Sequence, residues 1–322
     1  MHKAGRGGLN VEGRAAVWRP RPGGDLRLAV QTRFGLDSLP GGMSFGQVSA
    51  VGTDADGNVF VFQRGPRADP IVVLDPRGRF LRSWGAGVGI PHGLRLDSAG
   101  NVWVTDVGAH VVLEFDRGGR LLRTLGTPGR AGADDTTFDR PTDVAFGIDG
   151  DVYVSDGYGN SRIVRFDRRG RFISAWGRPG AGPGEFATPH ALATDGNGRL
   201  YVSDRANERV QIFDQDGTYA GVWTHLGATQ GIDVRHGDHD AWVITFRSLA
   251  EIVELDSMPG LLVHVELANG TVVGSIEAPG HWVHRSAGGQ LFVGSLTGNV
   301  IRLENATSPA APSVDRPPEG TG

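Results

Sequence analysis

Short runs of β-branched and aromatic residues alternate with Gly, Asp and Asn along most of the chain. The clearest example is residues 141–166, where the runs PTDVAF, DVYVSD and RIVRF are separated by turn residues. Val, Ile, Tyr and Phe favour strands, whereas Gly, Asp and Asn favour tight turns. The segment DRRGRFISAWG that follows adds a turn and a fourth strand. This stretch predicts a four-stranded antiparallel sheet, which needs neighbours to bury its faces.

The same pattern recurs about every 40–50 residues, which is the period of a propeller blade. Six units can be aligned, the fifth of them degenerate, and the sixth has no outer strand before its end near Leu303. The early segments AAVWRP and LRLAVQTRF belong to no complete unit, and they could complete the sixth sheet, close the ring and remove an exposed edge. We predict an all-β fold, a single six-bladed β-propeller over residues 15–304, with a flexible arm at 1–14 and a disordered, Pro-rich tail at 305–322.

Composition narrows the possible functions. The 322 residues include 51 Gly and 18 Pro yet are 39% hydrophobic, which is typical of many short strands and turns rather than of disorder. A net charge of −4 gives no reason to expect a nucleic acid or an anionic membrane as a partner. No apolar run is long enough to span a bilayer, and the N-terminal residues lack the apolar core of a signal peptide. We therefore expect a cytoplasmic protein, which we take to be a monomer.

One aligned position carries the candidate metal chemistry. The second residue of each opening strand is, from the first unit to the sixth, Gln47, His92, Thr142, His190, Gln230 and His281. The innermost strands of a propeller line its channel, so histidines on alternate units approach the axis from three sides, about 120° apart. The chain has no cysteine, and three neutral imidazoles suit Zn²⁺ with an open fourth position. The alternative is that these are polar channel residues that hydrogen-bond through water.

The third histidine position is ambiguous because His284 lies close to His281. The register counted back from the turn in GGQLFV favours His281. The remaining histidines break the pattern, and those of the sequence HGDHD at 236–240 are expected in a solvated turn.

A second ring of polar residues follows the second strand of each unit, at the same end of the channel. Most of them recur and are typical of turns. Tyr158, Arg205 and Arg64 differ from their counterparts in the other units. Tyr158 is a candidate general base beside a cation, and the two arginines could bind a carboxylate through paired hydrogen bonds.

Several segments resemble NHL-repeat propellers and, more specifically, the peptidyl-α-hydroxyglycine α-amidating lyases. They are WVTDVGAHVVLEFD, PTDVAFGIDGDVYVSDGYGNSRIVRF and LYVSDRANERVQIF, together with PHGL at 91–94 and PHAL at 189–192. The close resemblance covers about residues 88–215. It implies a six-bladed propeller that holds zinc on three histidines, here His92, His190 and His281.

The resemblance also implies roles for the second ring. Tyr158 matches the essential tyrosine of the family, and Arg205 and Arg64 match the arginines that bind the substrate carboxylate. The implied reaction is zinc-dependent cleavage of an α-hydroxyglycine carbinolamide to an amide and glyoxylate, on a small-molecule or peptide substrate with a terminal carboxylate. Two alternatives stay open: a metal-dependent hydrolase of a lactone or amide on the same propeller, and a non-enzymatic NHL-repeat scaffold.

The chain departs from the family at three positions. Gly159 stands where the animal enzymes have a disulfide cysteine, and Pro279 replaces a methionine near the substrate. Trp282 stands where the family has an acidic residue of a structural calcium site, which weakens the expectation of Ca²⁺ as a second ion.

Overall fold

The computed structural model describes residues 24–26, 28–235, 237–248 and 260–305. These residues form six sheets of four or five strands, arranged as the blades of a propeller. The prediction of an all-β, six-bladed propeller is therefore confirmed. The predicted arm at 1–14 and positions 306–322 of the predicted tail lie outside the described residues, and the last strand ends at Asn305, the first position of that tail.

In the first four blades the strands follow chain order from the channel to the rim. Blade 1 comprises Val48–Thr53, Val59–Gln63, Ile71–Leu74 and Phe80–Trp84. Blade 2 comprises Pro91–Leu96, Val102–Asp106, Val111–Phe115 and Leu121–Leu125. Blade 3 comprises Asp143–Phe146, Val152–Asp156, Arg162–Phe166 and Phe172–Trp176. Blade 4 comprises Pro189–Thr194, Leu200–Asp204, Arg209–Phe213 and Tyr219–Trp223.

The last two blades take strands from the beginning of the chain. Blade 5 comprises Ala228–Val234, Asp240–Phe246, Leu261–Glu266 and Val272–Glu277, with Gly24–Asp25 parallel to its outer strand. Blade 6 comprises Trp282–Arg285, Leu291–Ser295, Asn299–Asn305 and, as its outer strand, Leu28–Gln31. This N-terminal strand pairs antiparallel with its neighbour and closes the ring, as predicted. Short 3₁₀ turns lie at Leu36–Ser38 and Arg205–Asn207.

Burial explains the hydrophobic pattern of the sequence. The second strand of blade 3, Val152–Asp156, is buried at every position because neighbouring blades cover both of its faces. Such strands read as continuous apolar runs rather than as alternating ones. The outer strand Phe172–Trp176 is half exposed. Inner strands contact the inner strands of both neighbouring blades all the way round the ring, so they line the channel.

A bulky residue at the end of the outer strand packs against the next blade. The rings of Trp84 in blade 1 and Phe115 in blade 2 lie 4.9 Å apart. Trp84 also covers Gly119, a turn residue of blade 2 at φ 94°, where an added Cβ would come within 2.7 Å of the indole. Trp176 covers Gly217 of blade 4 in the same way. These glycines supply both the left-handed turn and the space for the neighbouring ring.

Candidate active site

The inner strands bring His92, His190 and His281 together at one end of the channel. Their potential ligand atoms all lie within 4.8 Å of one another. The three ring centroids are 4.8, 4.9 and 5.0 Å apart, and each pair of rings is nearly perpendicular. All three side chains are buried. The site is close to threefold because the histidines stand on alternate blades of a six-membered ring.

Local strand irregularities help to aim the histidines at the axis. In blades 2 and 4 the pairing of the first two strands shifts register at the histidine. Such bulges re-aim side chains and are common beside functional sites. His92 is followed by Gly93, where an added Cβ would lie 2.6 Å from the carbonyl oxygen of Thr142. The glycine lets the inner strands of blades 2 and 3 approach closely.

Each histidine is oriented by a backbone carbonyl group of the following blade. The Nδ1 atoms of His92, His190 and His281 lie 2.7, 2.7 and 2.8 Å from the carbonyl oxygens of Thr142, Gln230 and Ser49. A carbonyl oxygen only accepts hydrogen bonds, so each Nδ1 carries the proton and donates. Each Nε2 therefore keeps its lone pair and is the atom left to bind a metal.

The hydroxyl group of Tyr158 reaches two of these lone pairs. Its oxygen lies 2.9 Å from Nε2 of His92 and 3.1 Å from Nε2 of His190. A phenol has a single proton, so it can satisfy only one of the three imidazole acceptors. Three clustered acceptors with one donor fit a cation, and three neutral imidazoles fit Zn²⁺ in particular.

Burial keeps the three imidazoles neutral. Burial is the largest cause that holds the pKa of His92 and His190 well below the usual range, and neighbouring cationic groups add to it. Burial also lowers the pKa of His281 to about 3, with a further contribution from Arg64 and Arg205. Neutral imidazole is the form that binds a metal ion, so the site needs no proton release from these rings.

Arg205 lies against Tyr158. Its Cζ is 5.3 Å from the centre of the phenol ring, and its Nη1 donates to Oε1 of Gln230 at 3.3 Å. Its Nε is buried and has no hydrogen-bond partner among the described residues. Arg205 thus has one buried donor that no acceptor of the described residues satisfies.

Arg64 also lines the site and is held by Pro91 of the inner strand of blade 2 and by Gln47. Its Nε donates to the carbonyl oxygen of Pro91 at 2.7 Å, and its Nη1 to Oε1 of Gln47 at 3.4 Å. Burial lowers the pKa of Arg64, and the nearby Tyr158 partly opposes this shift. The sequence interpretation gave no role to Gln47 and Gln230, which orient the two arginines. The signal was present, because both glutamines occupy the aligned position of the histidines.

A cleft of about 120 Å³ opens beside His281. Its charged and polar lining includes Arg64, Arg205, Tyr158 and His281, and its apolar lining consists of Phe246, Pro279, Gly280 and Leu296. None of the described lining residues is acidic. The cleft therefore offers a cationic side to an anionic group and an apolar side to its neighbour.

The backbone around Tyr158 fixes the position of the phenol. The Tyr158 N–H donates to the carbonyl oxygen of Arg140 at 3.3 Å, and the Tyr158 carbonyl accepts from Arg140 Nη2 at 2.8 Å. Arg140 has a φ of 60°, a costly conformation for a residue with a side chain. At Gly159 an added Cβ would collide with Asp139. A cysteine at this position would have to displace that carboxylate.

His284 does not join the three histidines. Its Nε2 lies 2.8 Å from Oγ1 of Thr53, and its Nδ1 lies 3.4 Å from the carboxylate of Asp233. His284, Thr53 and Asp233 line a separate, wider bowl of about 790 Å³. The structure thus brings His281, and not His284, to the site.

The recurring aspartates after the second strands have structural contacts. Asp106 accepts backbone N–H bonds from residues 89 and 90 at 2.6 and 2.9 Å. Asp156 pairs with Arg162, and Asp204 with Arg209, at 2.9 and 2.7 Å. These carboxylates stabilise loops through hydrogen bonds and ion pairs, and they take no part in the candidate site. In the part of the chain that the structure describes, no helix is both long and apolar enough to cross a membrane.

Comparison with known proteins agrees with the propeller fold. A family model described as a six-bladed beta-propeller matches residues 133–221. The chain is 38% identical over 233 residues to peptidylglycine alpha-amidating monooxygenase of Rattus norvegicus, covering 62% of this chain and 23% of that protein. It is 32% identical over 194 residues to a Caenorhabditis elegans protein named as a peptidyl-alpha-hydroxyglycine alpha-amidating lyase, covering 52% and 55%. The resemblance to the α-amidating lyases is confirmed.

Other similar proteins share the NHL repeat or the fold. NHL repeat-containing protein 3 of Homo sapiens is 36% identical over 188 residues, covering 55% of this chain and 54% of that protein. The chain thus spans about half, or less, of the length of these curated relatives. Among solved structures, virginiamycin B lyase from Staphylococcus aureus superposes with a TM-score of 0.57 at 12% identity, covering 86% of this chain and 98% of that one. At this identity the likeness shows the fold alone.

Proposed function

We propose that the chain is a metal-dependent lyase that cleaves the carbon–nitrogen bond of an α-hydroxyglycine-type carbinolamide, giving an amide and glyoxylate. The observation that carries this proposal is the placement of the Tyr158 hydroxyl against the Nε2 lone pairs of two of the three clustered histidines, with Arg205 over its ring. The relatives named as amidating lyases support the same reaction class.

The histidines and the arginines of the site would have separate roles in the reaction. His92, His190 and His281 would hold Zn²⁺, and the bound ion would supply a Lewis acid for the substrate hydroxyl. Arg205 and Arg64 would bind the carboxylate of the glycine unit and so orient the carbon that reacts.

Tyr158 would move the proton. The substrate hydroxyl gives up its proton, its oxygen forms the aldehyde C=O bond of glyoxylate, and the C–N bond breaks. The departing nitrogen takes up a proton to become the amide, so the reaction consumes neither water nor an oxidant. A single phenol oxygen can take the hydroxyl proton and pass its own proton to the nitrogen.

The direct test is glyoxylate release from α-hydroxyhippurate. We expect the zinc-loaded protein to release glyoxylate and benzamide in equal amounts, the chelated protein to release neither above background, and added zinc to restore the activity. If the zinc-loaded protein releases no glyoxylate, the lyase proposal is wrong.

Replacing Arg205 tests whether this arginine binds the substrate carboxylate. We expect the Arg205→Met variant to lose about 10- to 100-fold in kcat/KM on the carboxylate substrate, because a charge-assisted hydrogen bond is lost. Metal content should not change. Arg205→Lys keeps the charge and should retain part of the activity. Steady-state kinetics on α-hydroxyhippurate and on its uncharged amide will separate a loss of carboxylate binding from a general loss of activity.

The Arg205 variants also separate the lyase from the alternative hydrolase. An equal loss of kcat/KM on both substrates would contradict the proposal that Arg205 binds the carboxylate. Zinc-dependent hydrolysis of a lactone or amide that survives in Arg205→Met would favour the hydrolase. The carboxylate-bearing substrate, the monomeric state and the cytoplasmic location remain predictions from the sequence.

A further inference from the structure

One arginine whose side chain is mostly buried spans the channel. Arg95 lies on the inner strand of blade 2, and only 13% of its side chain is exposed. Its Nη2 donates to Oδ2 of Asp143 at 2.9 Å and to the carbonyl oxygens of Leu192 and Ile232 at 2.9 and 3.1 Å. Its Cζ lies 4.6 Å from the ring centre of Trp282. These partners stand on the inner strands of blades 3, 4, 5 and 6.

The guanidinium group therefore links five of the six inner strands. A second carboxylate, that of Asp233, lies 3.7 Å from Nη1 of Arg95. Asp143 is fully buried and also accepts the backbone N–H of Leu192 at 2.8 Å. Without the guanidinium, the Asp143 carboxylate would stay buried without its charged partner, which is strongly destabilising, whereas Asp233 would keep its contact with His284.

The residues at this level of the channel do not fit a calcium ion. Calcium takes six to eight oxygen ligands. The oxygen groups around Arg95 are the carboxylates of Asp143 and Asp233 and the carbonyl groups of Leu192 and Ile232, and the guanidinium group contacts all four. Trp282, which stands where the related lyases have an acidic residue, presents the face of its ring to the guanidinium.

We propose that the guanidinium group of Arg95 is a built-in cation that replaces a structural calcium ion and positions the three histidines. The positioning role follows from the chain. Trp282 directly follows His281, and Asp143 directly follows Thr142, whose carbonyl oxygen orients His92. This second role rests on the proposed metal site. Arg95 is a positioning residue, since it acts through its neighbours.

Thermal unfolding of zinc-free protein tests the first role. We expect the wild type to take up no calcium in equilibrium dialysis and to have the same Tm with calcium or with a calcium chelator. In Arg95→Ala we expect the Tm to fall by about 10 °C. This variant removes the cation from Asp143 and from the carbonyl oxygens of Leu192 and Ile232, so calcium, or guanidinium at concentrations too low to denature, should restore part of the Tm.

The matched control is Arg79→Ala, which removes an ion pair whose arginine side chain is 71% exposed. It should change the Tm little and show no rescue. If Arg95→Ala does not fold, Arg95→Lys keeps the charge and should fold with a reduced Tm. The calcium-replacing role is overturned if the wild type binds one equivalent of calcium and gains stability, if Arg95→Ala is as stable as the wild type, or if Arg95→Lys unfolds as Arg95→Ala does.

Zinc affinity tests the positioning role separately. We expect Arg95→Ala to bind zinc about 10- to 100-fold more weakly, as when a residue that supports metal ligands is lost, and guanidinium to restore the affinity. An unchanged zinc affinity in a destabilised Arg95→Ala variant would overturn this role and leave the calcium result standing. Absence of zinc binding in the wild type would instead contradict the proposed function.

Discussion

We expect the His281→Ala variant to lose its metal and the His284→Ala variant to keep it. His281 is one of three histidines whose potential ligand atoms lie within 4.8 Å of one another, whereas His284 contacts Thr53 and Asp233 in a separate bowl. Loss of one of three protein ligands should weaken zinc binding by more than about 100-fold. Elemental analysis and competition with a chelator measure the difference.

The His284→Ala variant is a matched control for His281→Ala, because the two histidines are three residues apart in one blade and both are replaced by alanine. His92→Ala and His190→Ala should behave like His281→Ala, since the three imidazoles contribute equivalent Nε2 atoms. If the wild-type protein holds no metal even after zinc is added, the proposed metal site is wrong. Equal metal loss in both variants would instead show a general effect on folding.

The second large effect is expected for Tyr158→Phe. This change removes only the hydroxyl group that lies 2.9 and 3.1 Å from Nε2 of His92 and His190. General acid–base catalysis contributes about 10²- to 10⁴-fold, so kcat for glyoxylate release should fall by that factor. Metal content and Tm should change little, because the backbone contacts of Tyr158 with Arg140 remain. The measurements are single-turnover glyoxylate release and metal analysis.

Tyr153→Phe is the matched control for this prediction. Tyr153 lies in the same blade, and its hydroxyl donates to the backbone carbonyl of Gln215 at 2.9 Å, away from the histidines. Its loss should cost some stability and leave kcat unchanged. Full activity in Tyr158→Phe would show that the phenol moves no proton. Loss of the metal in that variant would show that Tyr158 acts as a ligand rather than as an acid–base group.

Much of the fold could be predicted because each blade is a local unit. Turn glycines and β-branched runs recur with each blade, and Gly57, Gly100, Gly150, Gly198 and Gly289 all adopt the left-handed conformation, with φ between 79° and 82°. A residue with a side chain is disfavoured in this conformation, so glycine at these positions marks the turns between strands. The fifth blade repeats this pattern less clearly, because a long segment separates its second strand, Asp240–Phe246, from its third, Leu261–Glu266, although it forms a complete sheet.

The six-unit period, the closing N-terminal strand and the histidines on alternate blades can all be predicted from the amino-acid sequence alone. These features follow from local patterns, and the regular geometry of a ring places equivalent positions around one axis. The contacts between atoms of different blades depend on the folded ring. The carbonyl groups that orient the imidazoles, the glutamines that hold Arg64 and Arg205, and the span of Arg95 across the channel are contacts between residues far apart in sequence. No local pattern encodes them, because they exist only once the ring has closed.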